Sequence, residues 1–291
     1  MKLKGVYLPI ITPFKNGEVD LESYRVLINH YLNKGISGII PLGTTGESPT
    51  IDEKEFFSII ETTIEEVQGK LPIYIGMGGN NTKEVIKKVS AIEKYPIQGI
   101  LSVTPYYSKP SQQGIYNHFK AISDSTNLDM IIYNIPYRTG INIENETLLN
   151  LANLRNIVGL KDCCGNLKQT MDFIDLKPEE FSVVTGEDIQ FYISLALGGD
   201  GGILASSHIN TEKFVEVFNL MQHNNHKQAL TKWNEMRQFI PYLFKESNPS
   251  PLKYILGEKG LISSSEVRLP LSEISIDLKN QLNALMNKGL V

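Results

Sequence analysis

The chain is poor in the features that would place it outside the cell, in a membrane or on nucleic acid. It has only two cysteines, Cys163 and Cys164, side by side. Neighbouring cysteines cannot staple distant segments, so a disulfide framework is excluded, and a reducing cytoplasm is the expected compartment. No stretch approaches 18 apolar residues, so no membrane-spanning helix is expected. The opening stretch from Met1 to Pro9 loosely mimics a signal peptide. However, Pro9 and Pro13 interrupt its apolar run, and no small-residue cleavage site follows. Surplus positive charge is missing as well. The net charge is -4, and no basic run is interleaved with aromatics, which argues against a nucleic-acid partner.

What is present is a rhythm. With 291 residues and 41% hydrophobic content, the chain can build one large barrel or two modest domains. Short apolar runs recur at Val6–Thr12, Gly38–Leu42, Leu71–Met77, Gly99–Thr104, Leu128–Tyr133, Ile157–Leu160, Phe181–Thr185 and Gly202–Ala205. Helix-period segments lie between many of them. Leu21, Tyr24, Leu27, Ile28 and Tyr31 share one face. Asp52 with Glu55 makes a capping box ahead of Phe56, Ile60, Ile64 and Val67. Val85, Val89 and Ile92 mark a third helix, and Ser111 caps a fourth that carries Ile115, Phe119 and Ile122. Strand-like runs alternating with helices predict an α/β fold with a parallel sheet. Their number and the usual length of about 250 residues favour a (β/α)8 TIM barrel. Residues 1–210 are read as the barrel core. Residues 211–291 are read as the last barrel helix and a helical C-terminal extension, broken at Pro241, Pro249 and Pro251.

The chemistry-bearing residues cluster by position. The run Ile157–Leu160 ends on Lys161, and a buried lysine amine can be neutral and nucleophilic, able to condense with a ketone. Thr44, Thr45, Tyr107, Tyr133, Arg138 and Gly186 also fall at or just beyond strand C-termini, where a (β/α)8 barrel builds its site. Tyr133 can shuttle protons, and Thr44 and Tyr107 can extend a hydroxyl relay. The Gly43–Gly46 loop offers backbone N–H groups to a carboxylate, helped by the Thr45 hydroxyl and the following helix N-terminus. Arg138 can fork onto a second carboxylate. Singly, each has an ordinary reading: a lysine reaching solvent, a packed tyrosine, a plain turn, a surface ion pair. Their shared location counts against coincidence. Together they suit a 2-oxo acid joined to, or cleaved from, another small anionic molecule.

Three weaker signals point elsewhere. His223 and His226 read as a helix end, so no metal site is expected. The Gly198–Gly202 run precedes the eighth strand, on the face opposite a phosphate site. Cys163 and Cys164 read as small buried residues, with a redox role as the alternative.

Gly43-Thr44-Thr45-Gly46-Glu47-Ser48, Val103-Thr104-Pro105-Tyr106-Tyr107, Tyr133-Asn134-Ile135-Pro136, Arg138-Thr139-Gly140 and Gly159-Leu160-Lys161-Asp162 resemble the dihydrodipicolinate synthase/N-acetylneuraminate lyase family of class I aldolases. The resemblance runs from Gly5 to about Leu271. It implies a (β/α)8 barrel, a pyruvate Schiff base on Lys161 with no other cofactor, and proton relay through Tyr133, Thr44 and Tyr107. It implies a homotetramer of tight dimers, with Tyr107 contributed across the tight interface. The pyruvyl carboxylate would rest on Thr44 and Thr45, with Gly186 and Ile203 lining the pocket.

The loop Gly43–Ser48, Arg138 and Asn248-Pro249-Ser250-Pro251-Leu252-Lys253 look like the synthase branch. That branch condenses pyruvate with L-aspartate 4-semialdehyde to 4-hydroxy-tetrahydrodipicolinate in lysine biosynthesis. Tyr137, the Cys163-Cys164 pair and Ala205-Ser206-Ser207-His208 depart from the usual pattern near the expected pocket rim. They leave a related 2-oxo acid or sugar-acid aldolase or dehydratase as the rival, and a non-catalytic 2-oxo acid sensor as a second. An effector site for lysine would involve Ser48, Asn80, Glu84 and Tyr106. Two histidines usual there are Glu53 and Phe56 in this chain, so weak or absent lysine inhibition is expected.

Overall fold

A computed structural model describes residues 2–291; Met1, the first residue of the signal-like opening stretch, lies outside them. The strands are β1 (Gly5–Leu8), β2 (Gly38–Ile39), β3 (Tyr74–Gly76), β4 (Gly99–Val103), β5 (Asp129–Asn134), β6 (Ile157–Asp162), β7 (Ser182–Thr185) and β8 (Gly201–Ile203). Helices α1 (Leu21–Leu32), α2 (Glu53–Val67), α3 (Thr82–Ile92), α4 (Gln112–Asp124), α5 (Asn145–Ala152), α6 (Leu167–Leu176), α7 (Phe191–Ala196) and α8 (Thr211–Gln222) follow them in turn. The strands form one sheet in the order β2-β1-β8-β7-β6-β5-β4-β3. The paired strands run parallel. This is the strand-helix alternation of a (β/α)8 barrel.

The strands are shorter than the apolar runs that announced them, and proline is one cause. Pro9 brings no N–H to the ladder, and β1 stops at Leu8. At β6 the difference runs the other way. The strand continues through Lys161 to Asp162, so the lysine is a strand residue and not a loop residue beyond the tip. The expected caps are present: Asp52 and Glu55 close a capping box on α2, and the Ser111 hydroxyl accepts from Gly114 N–H.

The chain forms two compact units, which cut across the division by element order at residue 210. The first comprises the N-terminal residues through Gly5 with Ile73–Ile203. Its strands are buried on both faces, through Ile75, Ile100, Ile131, Ile132, Leu160 and Val184, beneath Val89, Phe119, Leu151 and Phe173 of the helices. The second unit comprises Val6–Pro72 and Leu204–Val291. Its core gathers Leu8, Ile28, Ile60, Phe214, Phe239 and Leu256. Tyr24 and Thr63 share a buried hydroxyl–hydroxyl hydrogen bond of 2.8 Å between α1 and α2.

Beyond α8 the extension holds α9 (His226–Met236), α10 (Ser250–Glu258) and α11 (Ile276–Asn287). It is not helical throughout, as the sequence reading expected. The 259–275 segment runs as irregular chain, pinned by side chains such as Arg268. A hairpin that the apolar runs did not announce pairs Phe14–Lys15 with Glu18–Val19. Its turn residues Asn16 and Gly17 both have positive φ, at 53° and 83°, as a two-residue Asn-Gly hairpin turn requires.

Candidate active site

In the first unit, β5 and β6 place Tyr133 directly opposite Lys161. Both are buried, at 6% exposure each. The lysine nitrogen lies 4.0 Å from the centroid of the Tyr133 ring. Gly186, at the end of β7, makes room for the amine. A Cβ there would lie 2.4 Å from Lys161 Cε and 2.5 Å from Cys163 Sγ. Its N–H donates to Asp162 O at 2.8 Å, holding the turn against β6.

Burial lowers the Lys161 pKa below the usual ammonium range, and Arg138 adds to that shift. Negative charge on Cys163, Asp188 or Glu187, where those groups ionise, acts in the opposite direction. Burial also holds the Tyr133 phenol well above its usual range, so it stays protonated and can donate. Cys163 is 1% exposed, and burial raises its thiol pKa well above the usual value. It is not a rim residue. Its neighbour Cys164 is half-buried, accepts through Sγ from Asn166 N–H at 3.4 Å, and has its thiol raised to about 11, mainly by burial.

Arg138 sits exposed on a short turn of helix, Pro136–Thr139, directly after β5. Its guanidinium carbon is 5.8 Å from the Tyr137 ring. Tyr137 does lie at the surface, at 66% exposure. Glu187, beside Gly186, was not singled out in the sequence. Its Oε1 is buried without a hydrogen-bond partner, and burial raises its carboxyl pKa. Lys161, Tyr133, Arg138 and Gly186 thus form one cluster, joined by Cys163 and Glu187.

The remaining expected residues are distributed as follows. Ile203 ends β8 and is buried. Tyr107 has φ of 68° and 90% exposure, in a tight turn closed by Ser108 N–H to Tyr106 O at 2.7 Å. Asn80 and Tyr106 meet, with Tyr106 N–H donating to Asn80 Oδ1 at 2.8 Å. Glu84 is in the first turn of α3, which Asn81 caps.

In the second unit, two non-glycine residues are left-handed at the Gly43–Ser48 loop, Leu42 just before it at φ 60° and Glu47 within it at φ 53°. The expectation of free backbone donors at Gly46 is corrected, because Gly46 N–H donates to Gly43 O at 3.1 Å. Among the described residues, the N–H groups of Thr44 and Thr45 have no partner. The expected helix N-terminus is also corrected. Only a single turn, Ser48–Thr50, follows the loop, and α2 begins at Glu53 with its cap already filled by Asp52.

His208 is a further correction, since it is a buried residue and not a rim residue, at 3% exposure. Its Nε2 accepts from Ile11 N–H at 3.3 Å and its Nδ1 donates to Ala205 O at 2.8 Å, which fixes a neutral ring. The Gly198–Gly202 run has a packing explanation. A Cβ on Gly201 would meet Gly5 O at 2.0 Å. His223 closes α8, donating from Nδ1 to Asn219 O at 2.7 Å.

A parallel (β/α)8 sheet carrying a buried, strand-borne lysine against a tyrosine defines the class, a TIM barrel with a lysine on one of its strands. The sequence profile of the Dihydrodipicolinate synthetase family matches residues 2–288, and the chain belongs to that family. It is 54% identical over 286 residues to 4-hydroxy-tetrahydrodipicolinate synthase 2 of Clostridium acetobutylicum, covering 98% of this chain and 100% of the relative. The crystal structure of dihydrodipicolinate synthase from Thermotoga maritima superposes with a TM-score of 0.96 at 38% identity, covering 100% of both chains. A monomeric dihydrodipicolinate synthase variant gives 0.96 at 39% identity, over 99% of this chain and 98% of that one.

Proposed function

We propose that the protein is a lyase that condenses pyruvate with L-aspartate 4-semialdehyde to give 4-hydroxy-tetrahydrodipicolinate, a step of lysine and diaminopimelate biosynthesis. The observation that carries the reading is the Lys161 amine, buried and shifted toward its neutral form, against the protonated phenol of Tyr133. The neutral amine attacks the ketone carbon of pyruvate. Tyr133 donates a proton as the carbinolamine loses water, leaving an iminium on Lys161. Loss of a proton from the pyruvyl methyl gives an enamine, whose carbon attacks the aldehyde of the second substrate. That substrate's own amine then displaces Lys161, closing the ring and freeing the lysine. No metal or nucleotide takes part in this scheme.

Thr44 and Tyr107 keep the relay role that the family resemblance implies, and Thr44 and Thr45 seat the pyruvyl carboxylate. Two unpartnered N–H groups in that loop suit an anion. Arg138 is exposed, which suits recognition of the carboxylate of an arriving second substrate. Gly186 and Ile203 line the pocket. The assembly proposed is a homotetramer of tight dimers in the cytoplasm, and the exposure of Tyr107 suits a residue that serves a neighbouring subunit.

The test is to incubate the protein with pyruvate and borohydride, measure intact mass and map the adduct, then assay turnover with aspartate semialdehyde. An adduct on Lys161 with turnover is the expected result. No adduct, where a known class I aldolase is trapped, overturns the reading in favour of a non-catalytic sensor. The exposed Tyr137 ring beside Arg138 supports one second reading, a related 2-oxo acid aldolase with another aldehyde partner. That reading takes over if pyruvate is trapped but aspartate semialdehyde is not consumed.

A further inference from the structure

The Asn248–Lys253 segment resembles a synthase motif, yet the scheme above gives it no task. In the second unit it lies against the Gly43–Ser48 loop. Asn248 is 8% exposed and its Nδ2 donates to Thr45 Oγ1 at 3.0 Å. Thr45 is 4% exposed. Lys253, with no exposed side-chain surface, is ion-paired with Glu47 at 2.5 Å. Its amine also donates to Glu266 O at 2.8 Å and lies 4.0 Å above the Phe14 ring. The other Glu47 oxygen, Oε2, accepts from Arg268 N–H at 3.1 Å. Left-handed backbone is strained for a non-glycine residue and persists only where its surroundings over-determine it. Two arms of the C-terminal extension supply that determination at Glu47.

A hydroxyl both accepts and donates. With Asn248 donating to Thr45 Oγ1, the Thr45 proton is left for another acceptor. We infer that Asn248 is a positioning residue: it occupies the acceptor side of the Thr45 hydroxyl so that Thr45 presents its own O–H to the substrate carboxylate, on a loop that Lys253 and Arg268 hold through Glu47. This rests on the proposed role of Thr45 in pyruvate binding.

The substitutions that test it are Asn248→Asp and Asn248→Ala. Aspartate has almost the same shape but only accepts, so it draws the Thr45 proton to itself and adds negative charge beside the anion seat. Alanine merely removes the donor. The pyruvate KM is expected to rise on the order of 30-fold in N248D and about 5-fold in N248A. At saturating pyruvate, kcat is expected to stay within about threefold of wild type, because the effect is on binding. A purely structural asparagine predicts the opposite order, with the isosteric aspartate milder than alanine. That order, or an unchanged KM in both folded variants, overturns the inference. Thermal melts establish folding, and if N248D does not fold, the KM of N248A alone decides. Borohydride trapping of the wild-type protein is run first. Absence of a Lys161 adduct there brings down the parent reading and this inference with it, whereas a normal adduct with unchanged variants brings down only this one.

Discussion

Tyr133 and Lys161 face each other in register on neighbouring parallel strands, with the amine 4.0 Å from the ring centroid. In the proposed scheme the ring supplies a wall and the hydroxyl a proton. Replacing Tyr133 with Phe keeps the wall and removes the proton. The expected outcome is a kcat lower by about 10²- to 10³-fold with pyruvate still trapped on Lys161. Wild-type turnover in Tyr133→Phe would end the relay argument.

The lowered pKa of Lys161 has a kinetic signature. Burial favours the neutral amine, so at pH 8 a larger fraction is nucleophilic than in a free lysine. The initial rate of pyruvate trapping, followed against pH, should rise with an apparent midpoint below 10.5, the value the group has without burial. A midpoint at or above that value contradicts the geometry.

Gly186→Ala is expected to be a folded but crippled enzyme. Its new methyl would lie 2.4 Å from Lys161 Cε, so the lysine must swing away from its place beside Tyr133. Adduct formation should slow by about 100-fold, since small misplacements at a reacting centre cost that much. Trapping rate and thermal melting together separate this from unfolding.

His208 makes stability fall in mild acid. Burial lowers its pKa from 6.5 to about 4. Between those values the unfolded chain binds a proton that the folded chain does not. This contribution is complete above about pH 6.5 and is lost as the pH falls toward 4, by about 3 kcal/mol in all. Denaturant melts of His208→Gln should show lower stability at pH 7 but a shallower decline between pH 6.5 and 4. An equal decline in both proteins would show that His208 is not responsible.

Lysine should be a poor inhibitor. Glu53 is exposed in the first turn of α2, and Phe56 packs edge-on against Phe57 at 5.4 Å, where lysine-sensitive relatives of the resemblance carry histidines. Steady-state assays with added L-lysine are expected to show little inhibition below several millimolar, on the order of weak-ligand affinities. Half-inhibition in the sub-millimolar range would refute this.

The barrel was legible because its strands are short apolar runs and its helices keep strict periodicity. Lys161 was legible because a lysine closing such a run is chemically odd. The Asn16-Gly17 hairpin carried its signal openly, but strands of two residues leave no apolar run to notice. The burial of His208 was not legible, since a histidine after a strand reads the same whether it meets solvent or Ile11 N–H. Nor was the irregular 259–275 segment, whose order comes from contacts of Arg268 with Glu55 and Thr50 rather than from local periodicity. Glu187 gave no signal, because a glutamate in a loop reads the same whether its oxygens meet solvent or one is buried without a partner.

The bond between Asn248 and Thr45 joins residues 203 positions apart in sequence. During synthesis the threonine leaves the ribosome long before its partner has been made. On an incomplete chain the Thr45 hydroxyl therefore lacks this partner, whatever the state of the strands around it. If Thr45 seats the substrate as proposed, that seat is complete only once the C-terminal extension carrying Asn248 has been made.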